Sequence, residues 1–187
     1  MALAAGPGVA PAARGDNASM KLAMDFRIEG ATARVAAVAF DDWAAPEGTR
    51  NHALRIEHVE QPAKGELDLR ALPWLVQLLD AQRLQPEVIV LDGFVHLDAR
   101  ETPGLGRRLH DTLGGRTAVI GVSKTGFKDT PEQFEVHREE ETAPLVITCV
   151  GIDLGAAKAR VRMMHGRKRV PTLLKLAARI AKGSADA

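Results

Sequence analysis

The sequence predicts an α/β domain built on a mixed sheet, and three features predict it. Two apolar runs, Lys21 to Ile28 and Ala33 to Phe40, are joined through Gly30 in the manner of a hairpin. A stretch of helical spacing follows, and then Glu87 to Leu91, a continuous apolar run of the kind that belongs to a strand covered on both faces. Helical and strand-like segments go on alternating beyond it, which is the order that parallel strands with crossover helices produce.

Taken in order, the elements have local causes. Ala53 to Glu60 alternates, with Leu54, Ile56, His58 and Glu60 on one parity and Arg55, Glu57 and Val59 on the other, as a half-exposed edge strand does. From Asp68 the apolar residues fall at Leu69, Leu72, Leu75, Val76 and Leu79, one face of a helix that ends near Pro86, with Pro73 tolerated in its early turns. After Leu91, a loop carrying Pro103, Gly104 and Gly106 leads to a short helix stopped by Gly114-Gly115. Thr117 to Val122 reads as a second buried strand, Phe134 to Arg138 as a weak edge strand, and Pro144 to Val150 as a clearer one. Gly155 to Met164 and Val170 to Lys182 read as helices, the last amphipathic through Leu173, Leu174, Leu176, Ala177 and Ile180. Three antiparallel strands followed by alternating helices and strands is the layout of a ribonuclease H-like fold.

Composition bounds the rest. The chain has 187 residues, of which 45% are hydrophobic, enough for one core, so residues 20–187 are expected to form a single domain. Residues 1–19 are mostly Ala, Gly and Pro, lack the pattern of a signal peptide, and are expected to be a disordered tail. A formal charge of only +1 means that attraction to a polyanion must come from local clusters. No apolar run reaches the roughly 18 residues of a membrane span, so a soluble protein is expected, cytoplasmic and monomeric, with an oligomer as the alternative. The lone Cys149 offers no disulfide and fits a packing role in a reducing compartment.

Three apolar runs end in charge: Lys21-Leu-Ala-Met-Asp25, Val88-Ile-Val-Leu-Asp92-Gly93 and Thr117-Ala-Val-Ile-Gly-Val-Ser-Lys124. A carboxylate at the tip of a buried strand is costly unless a cation or strong donors compensate it. In a ribonuclease H-like sheet the first and fourth strands lie side by side, which brings Asp25 and Asp92 to one edge. Paired carboxylates there suit an oxygen-ligated Mg2+ or Mn2+ ion and phosphodiester hydrolysis.

The runs Met24-Asp25-Phe26-Arg27, Gly65-Glu-Leu-Asp-Leu-Arg70-Ala71-Leu72-Pro73, Val90-Leu-Asp92-Gly93 and Ile120-Gly-Val-Ser-Lys124 resemble, in order, the signature blocks of the endonuclease V family, the deoxyinosine-directed nucleases. Arg169-Val-Pro171 and the helix after it resemble that family's final helix, so the likeness spans about Met20 to Lys182. The resemblance implies a Mg2+- or Mn2+-dependent endonuclease acting on DNA or RNA, in DNA repair. It implies metal-binding, catalytic carboxylates at Asp25 and Asp92, a phosphate-contacting Lys124, and substrate contacts at Gly65, Arg70 and Gly93.

Departures from the family pattern fall on the chemistry. The family's Tyr-Ile-Pro-Gly wedge reads Pro62-Ala63-Lys64-Gly65, in a chain without tyrosine. Ala71 stands where the family has a glutamate metal ligand. A family histidine before a Pro-Arg step has no match at Asp98-Ala99-Arg100, although His96 lies nearby, and Ser-Pro-Gly-His reads Thr148-Cys149-Val150-Gly151. Asp98, Asp153, Glu66 and Asp68 are the acids available to complete the set. Against a metal role, Asp98 and His96 also read as loop residues, Asp153 as a helix N-cap, and Glu66 and Asp68 as acids at the start of a helix. The alternative function is a catalytically impaired relative that binds nucleic acid or a protein partner. Arg160, Arg162, His165, Arg167, Lys168 and Arg169 form the densest basic cluster. Trp74 reads as core, and Trp43 is the aromatic best placed to meet a base.

Overall fold

The computed structural model describes residues 20–139 and 142–186; the tail expected over residues 1–19 lies outside them. Strands β1 (Lys21–Glu29), β2 (Thr32–Phe40) and β3 (Arg50–Glu57) form an antiparallel meander. Helix α1 (Leu67–Ala81) leads to β4 (Val88–Asp92), and α2 (Leu105–Thr112) leads to β5 (Ala118–Ser123). A single 3-10 turn (Glu132–Phe134) precedes the two-residue β6 (Glu135–Val136), then β7 (Leu145–Val150), α3 (Leu154–Met163) and α4 (Thr172–Ala181). The sheet order is β3-β2-β1-β4-β5-β7-β6, with β4 parallel to both β1 and β5. This is the predicted ribonuclease H-like arrangement, and it ends in an antiparallel edge, because β7 runs against β5. The third strand starts at Arg50, three residues earlier than the alternation suggested, because its pairing with β2 continues to Ala39.

Period-2 alternation divides the core into two layers. Ala23, Ala36, Val38, Val90, Ile120 and Ile147 face one way and pack with α3 and α4. Leu22, Met24, Val35, Ile89, Leu91 and Val119 face the other way and pack with α1 and α2. Asp25 and Arg27 continue the parity of Ala23, and Asp92 continues that of Val88 and Val90. Both acids therefore belong to the α4 face.

Two features that local pattern did not reveal hold the ends of this layer. Arg138 is buried, and its guanidinium donates to the backbone carbonyls of Met164, Gly166, Lys168 and Arg169, which fastens the loop before α4. Arg169 in turn donates to the carbonyls of Pro144 and Lys124. Part of the basic cluster is thus structural. Trp43, expected to meet a base, is buried against Phe40, with the Lys21 ammonium and Arg160 guanidinium over its ring at 5.9 and 5.8 Å. It follows the end of β2 that pairs with the start of β1, away from Asp25.

Candidate active site where β1 and β4 part

Parallel pairing of β1 with β4 runs to Met24 opposite Leu91, so the next residues on the two strands are Asp25 and Asp92. Asp25 is 1% exposed. Its Oδ1 accepts the Phe26 backbone N–H at 2.7 Å, and Arg27 Nη1 lies 3.4 Å from the same oxygen. Oδ2 is 3.1 Å from Arg27 Nη2 but outside hydrogen-bond geometry, so this buried oxygen has an ionic neighbour and no hydrogen-bond donor. Burial, and secondarily the Asp92 charge, push the Asp25 carboxyl up to about 6, against the opposing effects of Arg27, the Phe26 N–H and Lys182. Asp92 is half-buried.

Gly93 turns the chain off β4 at φ +147°, a conformation open to glycine, and its N–H bonds the Val122 carbonyl at 3.0 Å. The segment from Gly93 to Val95 then crosses β5, where Val95 N–H donates to Thr148 Oγ1 at 2.8 Å. It can lie that close because position 121 has no side chain: a Cβ there would sit 2.6 Å from the Gly93 carbonyl oxygen and 2.8 Å from Val95 N. Lys124 is exposed just beyond β5, at the same end of the sheet as Asp92, which pairs with Val122.

The remaining candidate residues do not join this pair. Asp153 caps α3 by accepting the Ala156 N–H at 3.2 Å. It follows Val150, which pairs with Val119 near the start of β5, whereas Asp92 pairs with Val122, so Asp153 lies toward the opposite sheet end, beyond a separation of three residues or ~10 Å along the strand. Asp98 is engaged within its own loop, accepting from Arg100 N–H, Thr102 N–H and Thr102 Oγ1. Those bonds hold its carboxyl below the usual carboxylate range. His96 is buried, its Nε2 is unpartnered, and burial lowers its pKa. Glu66 pairs with Arg70, which also pairs with Glu60, so Arg70 lies on the exposed side of α1. Asp68, half-buried in the first turn of α1, has its pKa raised by burial. Gly65 lies in the exposed turn before α1 at φ +87°. Cys149 is half-buried and its thiol is pushed up to about 11, chiefly by burial, as suits a packing residue.

Ala71 is fully buried in the α1 layer beside Leu75, Leu78 and Leu79, on the other side of the sheet from the acids. Among the described residues, no group of three or more His, Cys, Asp or Glu side chains is arranged to hold a metal ion. Asp25 and Asp92 are hard oxygen donors that could hold one divalent cation, and they do not form a closed multi-carboxylate cage. The donorless Asp25 Oδ2 is the atom that such an ion would satisfy. Arg27 competes for it. Arg27→Ala should accordingly raise Mn2+ affinity several-fold in isothermal titration, and unchanged affinity would mean that no ion binds at Asp25.

No family model matches the chain, and no curated protein does. Solved structures do. Endonuclease V from Streptomyces avermitilis is 21% identical with a TM-score of 0.71, over 90% of this chain and 82% of that one. Endonuclease V from Bacillus subtilis is 19% identical with a TM-score of 0.72, over 88% and 80%. Endonuclease V from Ciona intestinalis, solved with a DNA containing an inosine followed by a ribo-adenosine, is 18% identical with a TM-score of 0.68, over 88% and 85%. Among the described residues no helix is long and apolar enough to cross a membrane. From the first strand to the last helix, this chain has the endonuclease V fold.

Proposed function

We propose that the protein is a metal-dependent endonuclease of the endonuclease V type, which hydrolyses phosphodiester bonds in nucleic acid. The observation that carries this reading is the pair Asp25, in the middle of β1, and Asp92, at the end of β4, each next after the last paired residues of these parallel strands and on one face, with a buried Asp25 oxygen lacking a donor. A bound Mg2+ or Mn2+ would supply Lewis acidity toward the phosphodiester. Asp25 and Asp92 would hold it, Asp25 as the carboxylate that prevails above about pH 6. Lys124, exposed at the same sheet end, would supply positive charge where the transition state gains negative charge. The exposed turn at Gly65 carries no aromatic wedge, so recognition of an altered base such as deoxyinosine would rest on other contacts.

The test is incubation with inosine-containing and ordinary single- and double-stranded DNA and RNA in Mg2+ or Mn2+. Wild-type protein should cut at least one of these substrates, and Asp25→Ala and Asp92→Ala should not. No cutting by the wild type, or equal cutting by both variants, would overturn the reading. A second reading, binding without cleavage, is favoured by one arrangement: the Arg27 guanidinium lies on the Asp25 carboxylate, where a metal ion would have to sit. Salt-dependent binding that is indifferent to chelation and leaves the strand intact would select it.

A further inference from the structure

The β1-β2-β3 meander carries a row of arginines that the proposed chemistry does not use. Arg27 pairs directly with Arg34, and Arg34 pairs directly with Arg55. Directly paired residues share a face, and strands lie about 4.8 Å apart, so the row spans about 10 Å across the sheet. Like charges directly opposite one another are destabilising, so the fold by itself gives no reason for the row. Its two ends are met by acids: Arg27 by Asp25 at 3.1 Å, and Arg55 by Glu57 at 2.5 Å. Arg34, in the middle, has no carboxylate partner among the described residues.

The three arginines and Lys182, at the end of α4, line one cavity of about 470 Å³ together with Thr32 and Glu29. Glu29 is the acid in a wall of four cations. Gly183, at φ +74°, admits the Arg34 guanidinium, which lies 3.4 Å from where a Cβ would be. Arg27 and Arg55 are 41% and 58% exposed, so their charges remain available to a ligand. The groove opens on the α4 face, the face of Asp25 and Asp92, and begins two residues beyond Asp25, about 7 Å along β1.

We infer that this groove binds the sugar-phosphate backbone of a nucleic-acid strand beside the phosphodiester presented to Asp25 and Asp92, an inference that rests on the nuclease reading above. Four cations spread over such a width suit a run of phosphates better than a single small anion, and the contacts carry no sequence information.

The experiment measures fluorescence anisotropy of a fluorescein-labelled, mixed-sequence single-stranded oligonucleotide in EDTA across a salt series. Arg34→Gln removes one phosphate contact: binding should weaken several-fold at low salt, and the slope of log affinity against log salt should fall by about 0.7. Arg34→Glu should bind more weakly still, and Arg34→Lys should keep the wild-type slope, which separates lost charge from lost folding. Arg116→Gln, two residues before β5, should leave the slope unchanged. Wild-type slope in Arg34→Gln and Arg34→Glu, with a wild type that binds, overturns the groove and leaves the nuclease reading standing. A wild type without salt-dependent binding to DNA or RNA overturns both.

Discussion

Asp25→Asn should stabilise the folded protein at neutral pH, on the order of 3 kcal/mol, and leave it unchanged below about pH 4. The cause is the buried position: desolvation and the adjoining Asp92 push the Asp25 carboxyl up to about 6 from an ordinary 3.8, and Arg27, the Phe26 N–H and Lys182 offset only part of that rise. The folded protein therefore holds this proton more tightly than the unfolded chain does. The stability that protonation contributes is fully present below the unfolded pKa and is lost as pH rises through the folded one. Asparagine cannot ionise, so the variant escapes the loss. Urea unfolding of both proteins at about pH 4 and about pH 7.5 measures the gap. Equal gaps at both pH values would refute the account. Mn2+ should raise the melting temperature of the wild type near neutral pH and leave that of Asp25→Asn unmoved, because an ion that binds only the folded state stabilises by mass action.

Gly121→Ala should cost about 3 kcal/mol or more, a large effect for one methyl group. The new Cβ would meet the Gly93 carbonyl oxygen at 2.6 Å, Thr148 Oγ1 at 2.8 Å and Val95 N at 2.8 Å. Two of these are backbone atoms of the segment that leaves Asp92, so relief requires moving that segment off β5. The buried Val95-Thr148 hydrogen bond is then lost or stretched, and an unmet buried N–H adds about 1–3 kcal/mol. A urea midpoint equal to that of the wild type would show that the segment shifts freely. If the variant folds, its cleavage of the substrate found for the wild type should also fall, because Gly93 follows directly on Asp92.

Much of the architecture was legible in local pattern. Apolar runs joined through Gly30 marked β1 and β2, period-2 alternation marked β3, continuous apolar runs marked β4 and β5, and Gly114-Gly115 marked the end of α2, since these signals depend on residues close in the chain. The direction of β7 was not legible, because it is set by pairing with a strand more than twenty residues away. Asp153 shows the consequence. Read as a line, it is an acid shortly after an apolar run, as Asp92 is, but an antiparallel β7 carries it to the far end of the sheet. Trp43 looked like a loop aromatic, and packing against Phe40 and Arg160 buried it. Arg138 gave no local sign at all, since its partners are carbonyls about thirty residues away.

By itself the sequence determined that acids follow two short apolar runs, that a lysine follows a third, and that position 71 holds no carboxylate. Pairing with β2 carries β1 past Asp25 to Glu29 and leaves this acid in mid-strand. Tertiary structure decided which of these meet. Parallel register made neighbours of Asp25 and Asp92, strand parity put both on the α4 face, and cross-strand pairing assembled Arg27, Arg34 and Arg55 into one row. The physical reason is one of range: side-chain period is written within a few residues, whereas register and strand direction arise only when distant segments close their hydrogen bonds on one another.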